Sequence, residues 1–137
     1  MGLVKTEITL KNVEDKTRAK VGLITAQEIR QMTVTALVDT GAWTLVINEA
    51  TRQELGLDYA GKQKQGSLAN GEACKYDMAG PVEVYWKDRS VICEPVVLPQ
   101  ANDILLGAIP LEAMDLMVNP VNQEVVGIHG DQIMHRI

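Results

Sequence analysis

The stretch Ala36-Leu37-Val38-Asp39-Thr40-Gly41-Ala42 decides how this chain is read. It follows Thr33-Val34-Thr35, so a run rich in β-branched and apolar residues delivers a carboxylate and then turns at once. A strand fixes Asp39 in place. Thr40 supplies a hydroxyl that can hydrogen-bond to a facing copy of the same loop. Gly41 lets the backbone bend and brings its N–H near the carboxylate. The plainer reading is a strand-end turn, because Asp, Thr and Gly all form turns.

Outward from this point the pattern stays strand-like. Leu3–Leu10, Ala19–Thr25, Val82–Trp86, Ser90–Leu98, Val125–Ile128 and Gln132–Ile137 read as strands, and Trp43–Ile47 continues the central motif. Asn12–Lys16 is polar and reads as a turn, as does Lys62–Ser67 as a polar connection. Asn48 and Gly56 bracket a short helix as N-cap and C-terminal stop, with an acidic solvated face over Glu49–Glu54. Pro110–Leu116 reads as a second short helix opening on a proline. Asn70-Gly71 is a hairpin-turn signal. Eight or nine short strands and two short helices, with turns every 8 to 12 residues, predict an all-β barrel or sandwich and argue against βαβ units.

Composition sets the frame. Val, Ile and Leu make up 38 of 137 residues, enough for a folded core, and Phe is absent. At 15.0 kDa the chain fits one domain, residues 1–137, with no linker or repeat. Thirteen basic against eighteen acidic side chains give a net charge of −5, which disfavours nucleic acid as a partner. No apolar run approaches the roughly 20 residues that span a bilayer. Met1–Lys11 lacks a signal-peptide core. Cys74 and Cys93 sit in no metal-like spacing and read as buried free thiols. A cytoplasmic location is the expectation.

A second motif, Ile104-Leu105-Leu106-Gly107, lies 65 to 68 residues after Asp39 and precedes the second helix. The two segments together resemble the retropepsin-like aspartic proteases, in particular small single-chain members from bacteria and archaea. In that family an apolar-apolar-Asp-Thr-Gly-Ala strand crosses a later apolar-apolar-Gly segment, and a short helix follows. The helix ending in Leu55-Gly56-Leu57 fits the same branch. The resemblance covers roughly residues 30 to 120. It implies an all-β, closed-barrel retropepsin-like fold and an aspartic endopeptidase with Asp39 as the catalytic residue. Thr40, Gly41, Ala42, Leu106 and Gly107 would support the active-site loop. Ala69, Asn70 and Gly71 would form the flap over a peptide or unfolded-protein substrate. Neither metal nor organic cofactor is implied. Trp43 departs from the family, which more often has a small polar or acidic residue there. The flap turn also lacks an apolar residue.

This chemistry needs two carboxylates, one ionised and one protonated. Only Asp39 has the Thr-Gly context; Asp15, Asp58, Asp77, Asp88, Asp103, Asp115 and Asp131 lack it. A protease built from this chain is therefore expected to be a homodimer with Asp39 of each copy at the two-fold axis. The resemblance places the dimer seam at edge strands Leu3–Thr9 and Gln132–Ile137. A reading from another class keeps the fold as a dimerisation or peptide-binding module with little or no hydrolysis.

Weaker signals read blandly. Gly56–Gln63 nearly spells a phosphate-binding loop, but Gln63 replaces the magnesium-binding hydroxyl and a helix precedes it. A phosphotransferase with Asp39 as nucleophile would want Asp-x-Asp, and Gly41 fills the second position. His129 and His135, with Asp131, fall short of a metal site. Trp43 and Trp86 read as core anchors.

Overall fold

The computed structural model describes residues 3–67 and 73–129, without the side chains of 62–67, 73 and 74. Among these residues, eleven strands and three α-helices run in the order β1 (Lys5–Asn12), α1 (Val13–Lys20), β2 (Gln31–Val38), β3 (Val46–Ile47), α2 (Glu49–Leu55), β4 (Tyr59–Ser67), β5 (Ala73–Ala79), β6 (Val82–Trp86), β7 (Arg89–Cys93), β8 (Val96–Val97), β9 (Ile104–Leu106), α3 (Ala108–Ala113), β10 (Leu116–Asn119) and β11 (Glu124–Gly127). A single 3-10 turn at Ala26–Glu28 leads into β2. Nine strands form one curled sheet ordered β4-β5-β8-β3-β9-β2-β1-β6-β7, and β10 pairs with β11 apart from it. The all-β, retropepsin-like expectation holds.

Alternation builds the core. Ile8 and Leu10 of β1, Val82, Val84 and Trp86 of β6, and Leu106 of β9 point inward with Leu45, Ile47 and Leu55. The centre of the sheet is an insertion. β2 leaves through the Asp39 loop, returns as β3 two places away, and β9 fills the gap. β9 runs parallel to β2, with Ala36 opposite Ile104 and Val38 opposite Leu106, and antiparallel to β3.

Several local expectations change. Asn12–Lys16 does not form a mere turn, nor Ala19–Thr25 a strand: most of this stretch is α1. Asn12 caps it by accepting from the Asp15 N–H at 2.9 Å, with Glu14 and Asp15 in the first turn and Arg18 and Lys20 in the last, each matching the helix dipole. Its polar face hid it from a reading based on apolar period. Asn12 also donates to the Leu55 carbonyl, at 2.8 Å, and so joins α1 to the end of α2. Asp15 lies buried and accepts from Arg30 Nε at 2.8 Å, Arg30 N–H at 3.0 Å and Arg18 Nη1 at 2.8 Å. The Arg30 hydrogen bonds hold its carboxyl well below the usual carboxylate range.

The bracketed helix appears as α2. Asn48 accepts from the Thr51 N–H at 2.8 Å, and Gly56 closes it at φ 63°. Arg52 forks onto Glu49 and stacks on the Tyr59 ring, tying α2 to the start of β4. Ser90–Leu98 is two strands, not one, because Glu94-Pro95 interrupts it between β7 and β8. The polar stretch Lys62–Ser67 belongs to β4, which pairs with β5 through its backbone. The second helix begins earlier than expected, at Ala108. Pro110 sits within its first turn, where a missing N–H does no harm, and the chain past Ala113 passes into β10.

Leu3–Thr9 is not simply an edge. β1 pairs with β2 from Lys5 to Lys11 and with β6 from Thr9 to Asn12, so only its first half has an open side. Gln132–Ile137, the other half of the expected seam, lies outside the described residues.

Candidate active site

β2 brings Asp39 to the surface. Its N–H donates to the Leu106 carbonyl at 3.0 Å, so the parallel pairing with β9 runs up to the carboxylate itself. The chain then turns tightly. Ala42 N–H donates to the Asp39 carbonyl at 3.0 Å, and Gly41 N–H donates to Asp39 Oδ1 at 2.9 Å. The second bond orients the carboxylate from its own loop. A Cβ on Gly41 would lie 3.1 Å from that oxygen, which is why the smallest residue fits.

The loop is held from below by backbone. Ala108 N–H donates to the Ala42 carbonyl at 2.8 Å, and Ile109 N–H to the Trp43 carbonyl at 3.0 Å. Between β9 and α3, Gly107 passes so close that a Cβ would sit 2.3 Å from the Thr44 carbonyl oxygen and 2.6 Å from that of Ala42. Gly107 has φ −91°, so space alone demands glycine here. Leu106 is fully buried beneath the loop. The structure thus brings Asp39, Thr40, Gly41, Ala42, Leu106 and Gly107 together.

Asp39, Thr40 and Gly41 are exposed. Asp39 and Thr40 border a cavity of about 570 Å³ whose walls are largely apolar, among them Leu3, Val4, Val38, Leu105, Val118 and Pro120. Sequence reasoning missed the contribution of β10–β11. Nothing near Val118 or Pro120 signals it, because the proximity arises only from the way α3 turns the chain back.

A family model for aspartyl proteases matches residues 25–130. This chain belongs to the aspartyl protease family. No curated protein sequence matches it. In this member of the family, Ala69, Asn70 and Gly71, expected as the flap, lie outside the described residues. Trp43 is not a core anchor: it is 40% exposed beside the active-site loop, whereas Trp86 is buried and donates to Thr6 Oγ1 at 2.9 Å. The loop's own backbone bonds to α3 leave the Trp43 ring on the outside.

Other candidate groups have structural partners. His129 contacts Asp115 Oδ2 at 2.8 Å, and His135 and Asp131 lie outside the described residues. Among the described residues, no cluster of three or more His, Cys, Asp or Glu side chains is placed to hold a metal. Burial, with a smaller push from the Glu94 charge, raises the Cys93 thiol to about 12 and keeps it a poor nucleophile. No helix among the described residues is long and apolar enough to cross a membrane.

Proposed function

We propose that this aspartyl protease is an endopeptidase that works as a homodimer, with Asp39 of each copy sharing one site. The carrying observation is a single carboxylate, exposed on a rigid loop at the mouth of an apolar cavity. Residues 1–137 act as one domain in this reading, on peptides or unfolded chains in the cytoplasm.

Two carboxyls about 3 Å apart cannot both ionise, so one proton is shared. The ionised Asp39 removes a proton from water as the water oxygen bonds to the scissile carbonyl carbon. The protonated Asp39 of the other copy gives its proton to the carbonyl oxygen. A tetrahedral diol results. It collapses when one hydroxyl proton passes to the carboxylate now ionised, the C–N bond breaks and the amine nitrogen takes the proton that the other carboxyl drew from water, which leaves one proton shared between the pair as at the start. The Gly41 N–H keeps one carboxylate oxygen directed throughout. Thr40 braces the two loops by hydrogen bonding across the axis. Leu106 and Gly107 hold the loop from beneath, Ala42 anchors it to α3, and Ala69, Asn70 and Gly71 cover the substrate.

The test is Asp39→Asn, assayed on unfolded casein and a peptide library from pH 4 to 7, with and without a statine-type inhibitor. Wild type should cut in an inhibitor-sensitive way, and the variant should lose at least about a thousandfold of that rate. Equal cutting by the variant removes Asp39 from the mechanism. Saturable binding without cleavage by wild type would favour the peptide-binding module.

A further inference from the structure

β10 and β11 pair only with each other among the described residues, and a two-stranded ribbon is marginal in water on its own. Yet this ribbon carries Val118, Pro120 and Gln123 to the cavity that Asp39 borders. Leu116 and Val125 seat one face of it in the core. At its base, both strands are tied to one residue, Asp115. Before β10, the Asp115 N–H closes α3 by donating to the Glu112 carbonyl at 3.0 Å. After β11, the Ile128 N–H donates to the Asp115 carbonyl at 2.9 Å, and His129 Nδ1 lies 2.8 Å from Asp115 Oδ2. A carboxylate oxygen only accepts, so Nδ1 is the donor. From β7, the buried Arg89 donates through Nη1 to the Met114 and Asp115 carbonyls, each at 3.0 Å, where a cation complements the end of α3. Asp115 has a φ of 57° and a buried carboxyl. Glycine would fit that backbone and bury no charge. What aspartate adds is a grip on His129.

We infer that Asp115 and His129 are a positioning pair, which fixes the angle at which the ribbon presents its wall to the Asp39 site. The inference rests on the protease reading for its kinetic consequence, and it names residues that touch neither the cavity nor the reacting carboxylate. The ribbon acts as a lever. β10 runs four residues from the pair to the turn, about 13 Å, so a small rotation at the base becomes a larger displacement at Pro120 and Gln123. The Asp39 loop does not move with it, because the backbone of β9 and α3 holds that loop separately. Loosening the pair therefore weakens the hold on substrate and spares the chemical step. The effect belongs in KM and not in kcat.

The experiment compares wild type, His129→Ala, His129→Asn, Asp115→Gly and the double variant His129→Ala/Asp115→Gly, by kinetics on unfolded casein and by amide hydrogen exchange. Asparagine offers an amide N–H in place of Nδ1, and Asp115→Gly keeps the left-handed backbone while removing the grip. His129→Ala and Asp115→Gly should each raise KM about three- to tenfold, with kcat within about twofold of wild type. Amides of residues 116–127 should exchange faster in both, while those of β1 and β2 keep their wild-type rates. The double variant should be no worse than either single one, because both cut the same contact. His129→Asn should restore KM and exchange together. Wild-type KM and wild-type ribbon exchange in both single variants overturn the inference and leave the protease reading standing. So does a fall in kcat, faster exchange across the whole sheet, or a failure of His129→Asn to rescue, since each marks a general loss of structure. A defect that vanishes at higher enzyme concentration marks a weakened dimer and overturns it as well. A wild type that cuts nothing ends the protease reading, and the exchange pattern with its rescue then decides the inference alone. Thermal unfolding confirms that each variant is folded, and the two positions guard against one that is not.

Discussion

Asp39 and Asp15 are the same residue put to opposite uses by their surroundings. Asp15 is buried, and two arginines plus a backbone N–H consume its oxygens. Asp39 is exposed, and among the described residues its carboxylate accepts a hydrogen bond from its own loop, at Gly41. The first region is held by charge between side chains. The second is held by backbone atoms in close contact, which leaves the carboxylate oxygens open to water and substrate. A site for acid–base chemistry needs that second kind of support, because a carboxylate that braces the fold is not free to exchange a proton.

The largest effect should come from the backbone-held region. Gly107→Ala places a methyl within 2.3 to 2.7 Å of the Thr44 and Ala42 backbone, where nothing flexible can yield. A loss of about 4 kcal/mol or more, or failure to fold, is expected in thermal or urea unfolding. Stability near wild type would mean that the loop is looser than its contacts imply.

Next comes Asp15→Asn. It leaves Arg30 without its fork, but Arg30 is about half exposed and water compensates in part, so a loss of about 1–3 kcal/mol at pH 7 is expected. Folding lowers the Asp15 pKa, so its contribution is complete above the unfolded value near 4 and fades as pH falls below that. The stability gap between wild type and variant should therefore hold from pH 7 to 5 and narrow below about pH 4. A gap that widens on acidification would refute the assignment. Asp39→Asn sharpens the contrast, since it should abolish cleavage yet move stability by less than about 1 kcal/mol.

The smallest effect belongs to Glu49→Gln. The Arg52 fork, helped by Tyr59, lowers the Glu49 carboxyl to about 2, but the pair lies half-buried at the surface, where water still screens it. Wild type should hold a slight advantage above about pH 4.5 that disappears as pH falls through 2, and added salt should shrink it. Matched unfolding curves at low and high salt would measure it.

The same contrast explains what the amino-acid order revealed. Asp39-Thr40-Gly41, Leu106-Gly107 and the caps Asn48 and Gly56 were legible because each is a short-range pattern with a local physical cause. The Asp15 cluster was not, because its main partner, Arg30, stands fifteen positions away and burial of a charge leaves no local mark. α1 was misread for the related reason that caps and ion pairs hold it, with little apolar stripe. The cavity wall from Val118 and Pro120 depends on a chain reversal after α3 that no neighbouring residue announces.

The insertion of β9 between β2 and β3 also sets an order in time. Ala36 must wait for Ile104, roughly 70 residues later, and closing so long a loop is a slow step compared with forming a local hairpin. Asp39 gains its floor only when Gly107 has been synthesised and seated. A growing or clipped chain that ends before this point carries the Asp-Thr-Gly sequence but not the support beneath it, so the loop takes its final form only once two segments far apart in the chain have met.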